Sequence, residues 1–85
     1  MTDTSAIVED LCSFIGSHAL SDEPIRPETD LLSSGLLDSM LVIDLVSHVE
    51  AAHGVALADA DITPKHFRSV TPLAALIVAR KGRSE

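Results

Sequence analysis

The 85-residue chain has no tryptophan and no tyrosine, and its two phenylalanines are Phe14 and Phe67. Its core must therefore be aliphatic, and a hydrophobic content of 46% is enough for one small core. Cysteine is nearly absent as well. Cys12 is alone, which excludes an intramolecular disulfide and a cysteine metal cluster and fits a reducing, cytoplasmic setting. No stretch approaches the roughly 18 apolar residues of a membrane span. The opening MTDTSAIVED is acidic and lacks the basic stretch and apolar run of a secretion signal. One soluble domain over residues 1–85, with its core at about 4–82, is expected.

Basic residues are scarce until late in the chain. Residues 1–64 carry twelve acids against the single base Arg26, a balance of −11, and residues 65–85 carry five bases against Glu85, a balance of +4. The net −7 belongs to an acidic body that repels nucleic acid and anionic membranes and attracts basic docking surfaces. The same charge also serves plain solubility, so it identifies no function alone.

What is present is helical periodicity. Ile7, Leu11, Phe14 and Ile15 recur at helix spacing, predicting a first helix from about Thr4 to His18. Asp3 or Thr4 can cap it, and Glu9 and Asp10 are expected near the positive end of its dipole. Residues 19–37 form a long connection broken by Pro24, Pro27, Ser33, Ser34 and Gly35. It still holds Leu20, Ile25, Leu31, Leu32, Leu36 and Leu37, so it should pack on the core, and loops this long are often functional. A second helix runs from Ser39 to about His53, capped by Asp38 and stopped by Gly54. After a turn over 55–62, Thr63-Pro64 opens a short helix through Phe67 or Arg68, and Thr71-Pro72 opens the last, which ends near Gly82. Leu73, Leu76 and Ile77 line its inner face, and Arg80, Lys81 and Arg83 sit at its negative end. The fold expected is an all-α bundle of three longer helices and one short third helix, with a long loop between helices one and two.

With Ser39 set at zero and 100° per residue, Leu41, Ala52, Leu45, Val49, Val42 and Val46 fall between about 200° and 340°, the predicted buried stripe. Glu50, Ser47, Asp44 and His48 fall on the opposite, solvated arc. Met40 and Ile43 break the pattern by lying among these polar residues. Two apolar side chains ringed by Asp44 and Glu50 suit a partner groove that is apolar in the middle and basic at its rim. Single exposed hydrophobics are also common without any role.

Ser39 stands at the start of this helix, where a serine is ordinarily a helix-starting residue. A hydrolase nucleophile does not fit: Leu37-Asp38-Ser39-Met40-Leu41 is not a Gly-x-Ser-x-Gly elbow, and no strand precedes it. His18, His48, His53 and His66 could offer a base, but the chain leaves little room for a substrate pocket. A calcium loop fails too. Asp30 to Leu41 has Gly35 at its sixth place, yet Leu32, Ser34 and Leu41 occupy ligand positions. Asp59 and Asp61 lack further ligands, and His48 and His53, five apart, are expected on different faces. No metal site and no catalytic residue is expected. Covalent modification fits better: a helix N-terminus suits a phosphate ester, and Asp38 can hold the divalent cation that accompanies a pyrophosphate donor.

Gly35-Leu36-Leu37-Asp38-Ser39-Met40 resembles the Asp-Ser-Leu phosphopantetheine attachment motif of acyl carrier proteins. Thr29-Asp30-Leu31-Leu32 is similar to that family's entry into the loop, and Ile62 through Ala74, with Phe67-Arg68-Ser69-Val70 and Leu73, to its third helix and the start of its fourth. The resemblance covers about residues 5–80. It implies a carrier without catalytic activity of its own, whose Ser39 is esterified with 4′-phosphopantetheine by a phosphopantetheinyl transferase using coenzyme A and magnesium, with Asp38 helping to hold the magnesium. Met40, Ile43, Asp44, Ser47 and Glu50 would dock partner enzymes, and the interior near Leu45, Ile62 and Phe67 could shelter part of a bound chain. The chain departs from the fatty-acid type through Leu41 and Val42 after Met40, through Ser47 in place of an apolar residue, and through His48 and His53. It also lacks the Gly-Gly-x-Ser-Leu form of peptide-synthetase carriers. It looks more like discrete, cytoplasmic, monomeric carriers loaded by adenylate-forming acyl or aminoacyl ligases. Downstream acyltransferase, ketosynthase or condensation-type enzymes of a polyketide or nonribosomal-peptide pathway would follow. A primary fatty-acid carrier and an unmodified acidic helical interaction module are the alternatives.

Overall fold

The computed structural model describes residues 4–19 and 24–82. Among them all regular structure is helical: α1 (Thr4–His18), α2 (Ser39–His53), a single 3-10 turn at Asp59–Asp61, α3 (Pro64–Phe67) and α4 (Val70–Gly82). This is the expected carrier-type bundle. None of these helices is long and apolar enough to cross a membrane.

The core is aliphatic, as the missing aromatics require. Leu11, Ile15, Leu31, Leu45, Leu73 and Ile77 are fully buried, and Phe67 is the aromatic that joins them. α1 turns Ile7, Leu11 and Ile15 inward and packs most heavily on α4. Phe14, expected on the same face, is half-buried at its edge. The buried stripe of α2 is narrower than predicted. Leu41, Leu45 and Val49, four apart, form it, while Val42 and Val46 are half-buried and Ala52 is exposed. Ala52 lies in the last turn of α2, past Val49, and is exposed although its angle falls within the stripe.

The ends of α2 are as read. Asp38 is extended and its Oδ1 accepts the Leu41 N–H at 2.8 Å, while Gly54 adopts φ 66° and donates to the Glu50 carbonyl. That left-handed conformation favours glycine. At the first helix the reading needs correction. Asp3 lies outside the described residues, and Glu9 and Asp10 lie beyond the first turn, where the dipole has little hold. α4 also begins earlier than expected. Thr71 is not its cap; its N–H and hydroxyl both donate to the Pro27 carbonyl, at 3.1 and 3.2 Å. Pro72 is thus the third residue of α4, tolerated because first-turn N–H groups have no intrahelical partner.

The same bonds pin the long loop. Leu31 N–H donates to the Arg68 carbonyl at 2.7 Å, and Ile25, Leu31 and Leu37 are buried. Leu32 and Leu36 are half-buried; Leu20 lies outside the described residues, as does Arg83. The loop therefore delivers residue 38 to the start of α2 from a fixed position.

Candidate functional site

Ser39 is the first residue of α2 and is exposed. Upstream, Asp30 Oδ1 accepts the Ser33 N–H at 2.8 Å, a bond that holds the Asp30 carboxyl below its ordinary range. Gly35 then adopts φ 80°, and Leu37 N–H returns to the Leu31 carbonyl at 2.9 Å. This closed turn buries Leu37 and leaves Asp38 and Ser39 facing solvent. One carboxylate oxygen of Asp38 is used by the cap, so the group retains acceptor capacity for a cation beside the Ser39 hydroxyl. The first-turn N–H groups and the dipole favour a phosphate there.

Beside Ser39 an open depression of about 380 Å³ joins the end of α1 to the start of α2. His18, Ala19, Gly35 and Leu36 form one wall, and Asp38, Met40, Leu41 and Asp44 the other. Met40 is 70% and Ile43 61% exposed, and Asp44 and Ser47 are exposed on the same side. Glu50 departs from the expected arrangement. It is half-buried, and its Oε2 accepts the Leu57 N–H at 3.0 Å, which ties the segment after α2 back onto the helix.

The expected shelter for a bound chain is also different in detail. Leu45 is fully buried and unavailable. An apolar depression of about 190 Å³ is instead lined by Leu32, Val42, Ile62, Thr63, Pro64 and Phe67. Ile62, 37% exposed, is its most accessible large side chain.

Two polar clusters escaped the sequence reading. Asp61 is buried, and Arg80 and the Ala58 N–H bind its carboxylate. With Asp59 exposed, the two acids do not act as a pair. The second cluster corrects the expectation for the histidines. His48 and His53 do meet: their Nε2 atoms reach the same Asp10 Oδ2, at 2.8 and 2.9 Å. Residues five apart on a helix diverge by about 140°, but both imidazoles are long enough to swing into the seam with α1. Burial raises the Asp10 carboxyl, yet the His48 and His53 hydrogen bonds outweigh it and hold the group below its usual value. His48 is not solvated; it is half-buried and stacks on Phe14 with ring centroids 4.2 Å apart.

Comparison with known proteins covers most of the chain. A family model described as a phosphopantetheine attachment site matches residues 5–77. Aminoacyl carrier protein 2 of Bradyrhizobium diazoefficiens is 34% identical over 70 residues, 82% of this chain and 76% of that protein. A chain in the crystal structure of an FAD-dependent dehydrogenase superposes with a TM-score of 0.68 at 32% identity, over 84% of this chain and 97% of that one.

Proposed function

The chain belongs to the acyl carrier protein family, whose members hold a covalently attached 4′-phosphopantetheine, and from that membership we propose that Ser39 Oγ is its point of attachment and residues 1–85 one discrete carrier domain. The observation that carries this reading is the junction itself: an exposed serine opening α2, preceded by an Asp38 that caps the helix with one oxygen only. The residues fit the group. A phosphodiester at Ser39 meets a helix N-terminus, and the open depression between Asp38 and Met40 gives a modifying enzyme access from the side.

In the modification, Ser39 Oγ attacks the pantetheine-side phosphorus of the coenzyme A pyrophosphate. The Oγ–P bond forms, the bridging P–O bond breaks, adenosine 3′,5′-bisphosphate leaves, and the hydroxyl proton passes to a base of the transferase. Asp38 would serve as one ligand for a magnesium ion, whose charge would neutralise the pyrophosphate. When attached, the arm supplies a terminal thiol that carries an acyl or aminoacyl group as a thioester. The domain contributes rigidity and address. Its packed loop holds Ser39 at a fixed place, and Met40, Ile43, Asp44 and Ser47 form the face that partner enzymes recognise. Tethering raises the effective concentration of the carried group at each active site.

The likeness to an aminoacyl carrier protein supports an aminoacyl cargo loaded by an adenylate-forming ligase, in a natural-product or aminoacyl-carrier pathway rather than in fatty-acid synthesis. The likeness to a chain from a flavin dehydrogenase structure supports considering such an enzyme beside the acyltransferase, ketosynthase and condensation-type partners.

The test is incubation with coenzyme A, magnesium and a broad-specificity transferase, followed by intact mass measurement. Wild type should gain one phosphopantetheine and Ser39→Ala none. If wild type stays unmodified, the carrier reading gives way to an unmodified interaction module. If Ser39→Ala is modified, the attachment point is elsewhere.

A further inference from the structure

Asp10, on α1, and His48 and His53, on α2, place three ligand atoms of metal-binding type within 4.8 Å of one another. All three residues are half-buried, so the cluster is shielded yet open on one side. Their arrangement goes beyond a pair of hydrogen bonds. The two imidazole rings stand nearly perpendicular, with centroids 6.3 Å apart and planes at 88°, so that both Nε2 atoms converge on one point. Phe14 stacks on His48 at 4.2 Å and 19°, which fixes that ring's plane. Lys81 donates to the His53 backbone carbonyl at 2.9 Å, so it holds the helix end and leaves the imidazole to the cluster.

We propose that Asp10, His48 and His53 form a zinc-type divalent metal site that clamps α1 to α2. Two nitrogens and one carboxylate oxygen are a donor set that zinc accepts, with a fourth position left for water. The two Asp10–histidine separations need little change, and the two Nε2 atoms, within 4.8 Å of each other, would draw to the same tetrahedral spacing. Ligand atoms bound at about 2.0–2.1 Å in a tetrahedron lie about 3.3 Å apart. The existing 2.8 and 2.9 Å separations would open by roughly half an ångström. The Nε2 protons that now bond Asp10 leave, or move to Nδ1, as the metal takes their place. A dication also suits a chain of net charge −7. The site is remote in chemistry from Ser39 and stands whether or not Ser39 is modified.

The full chain, stripped of metal by chelator and with its thiols alkylated, is titrated with zinc chloride. Binding should be saturable and one-to-one, and the thermal midpoint should rise by about 10 °C or more at zinc a hundredfold above the dissociation constant. In wild type, the His48 and His53 ring signals should shift together while those of His66 stay. Asp10→Asn and His53→Gln should each weaken binding at least about tenfold, whereas His66→Gln should not, and magnesium should not displace the zinc. Absence of saturable binding, ring shifts at His66 instead, unchanged affinity in His53→Gln, or displacement by magnesium would each overturn the site. The ring signals are read in wild type, so the result does not depend on any variant folding.

Discussion

Arg80 closes the bundle onto Asp61: its Nε donates to Asp61 Oδ2 at 3.0 Å and its Nη2 to Oδ1. The Asp61 side chain is only 5% accessible, and Ala58 N–H completes its shell at 3.0 Å. The Arg80 hydrogen bonds and then the Ala58 N–H hold the carboxyl down to about 2, against an ordinary 3.8. Because the folded value is the lower one, the pair's contribution is fully present above pH 4 and fades as pH falls towards 2. Thermal melts of wild type and Asp61→Asn should therefore differ at pH 7 and converge between about pH 4 and 2. A gap unchanged across that range would mean that the charge on Asp61 contributes nothing.

Asp38 has two assignments that substitution separates. As a cap it accepts the Leu41 N–H at 2.8 Å. As a cation ligand it needs its negative charge. Asp38→Ala should lose both, lowering stability by about 0.5–2 kcal/mol and slowing phosphopantetheine transfer. Asp38→Asn keeps a capping oxygen, so its denaturant midpoint should stay near wild type while transfer still slows. If Asp38→Asn is modified at the wild-type rate, Asp38 is a cap only.

These residues also show how far the sequence could be read. α2 was legible at both ends because its punctuation is local: Asp38 caps a residue three positions on, and Gly54 returns to Glu50. The loop's burial followed from its leucines. What was hidden depends on contacts distant in sequence. Thr71 reads as a cap, but the Pro27 carbonyl, 44 positions earlier, takes its hydroxyl. His48 and Glu50 read as solvated from their helix angle, yet Asp10 and Leu57 draw them in. A helical projection gives the direction of a Cβ atom, and long polar side chains end well away from it.

The exposed face of α2 gives a contrast between docking and stability. Ile43 is 61% exposed, so Ile43→Asp should alter folding stability by no more than about 0.5 kcal/mol while slowing modification or aminoacyl loading. Glu50 sits on the same helix but holds the Leu57 N–H at 3.0 Å. Glu50→Ala should cost about 1 kcal/mol in urea unfolding, because it leaves that N–H without its charged acceptor. Loading kinetics of both variants at matched folded fraction separate the two effects. Wild-type loading by Ile43→Asp would remove Ile43 from the docking face.

Cys12 provides an internal reference for the arm. It is half-buried on α1, and burial, with the nearby Glu28 charge second, pushes its thiol above the ordinary range. At pH 7 it is therefore poorer in thiolate than an unperturbed thiol, and thiolate is the reactive form. An arm thiol attached at the exposed Ser39 would stand outside the burial that holds back Cys12. Limiting maleimide at pH 7 should thus label the modified chain fast on the arm and slowly on Cys12. The fast phase should vanish in Ser39→Ala and persist in Cys12→Ser, with peptide mass mapping locating each adduct. A fast phase that survives Ser39→Ala would place the reactive thiol on Cys12 and overturn the account of its burial.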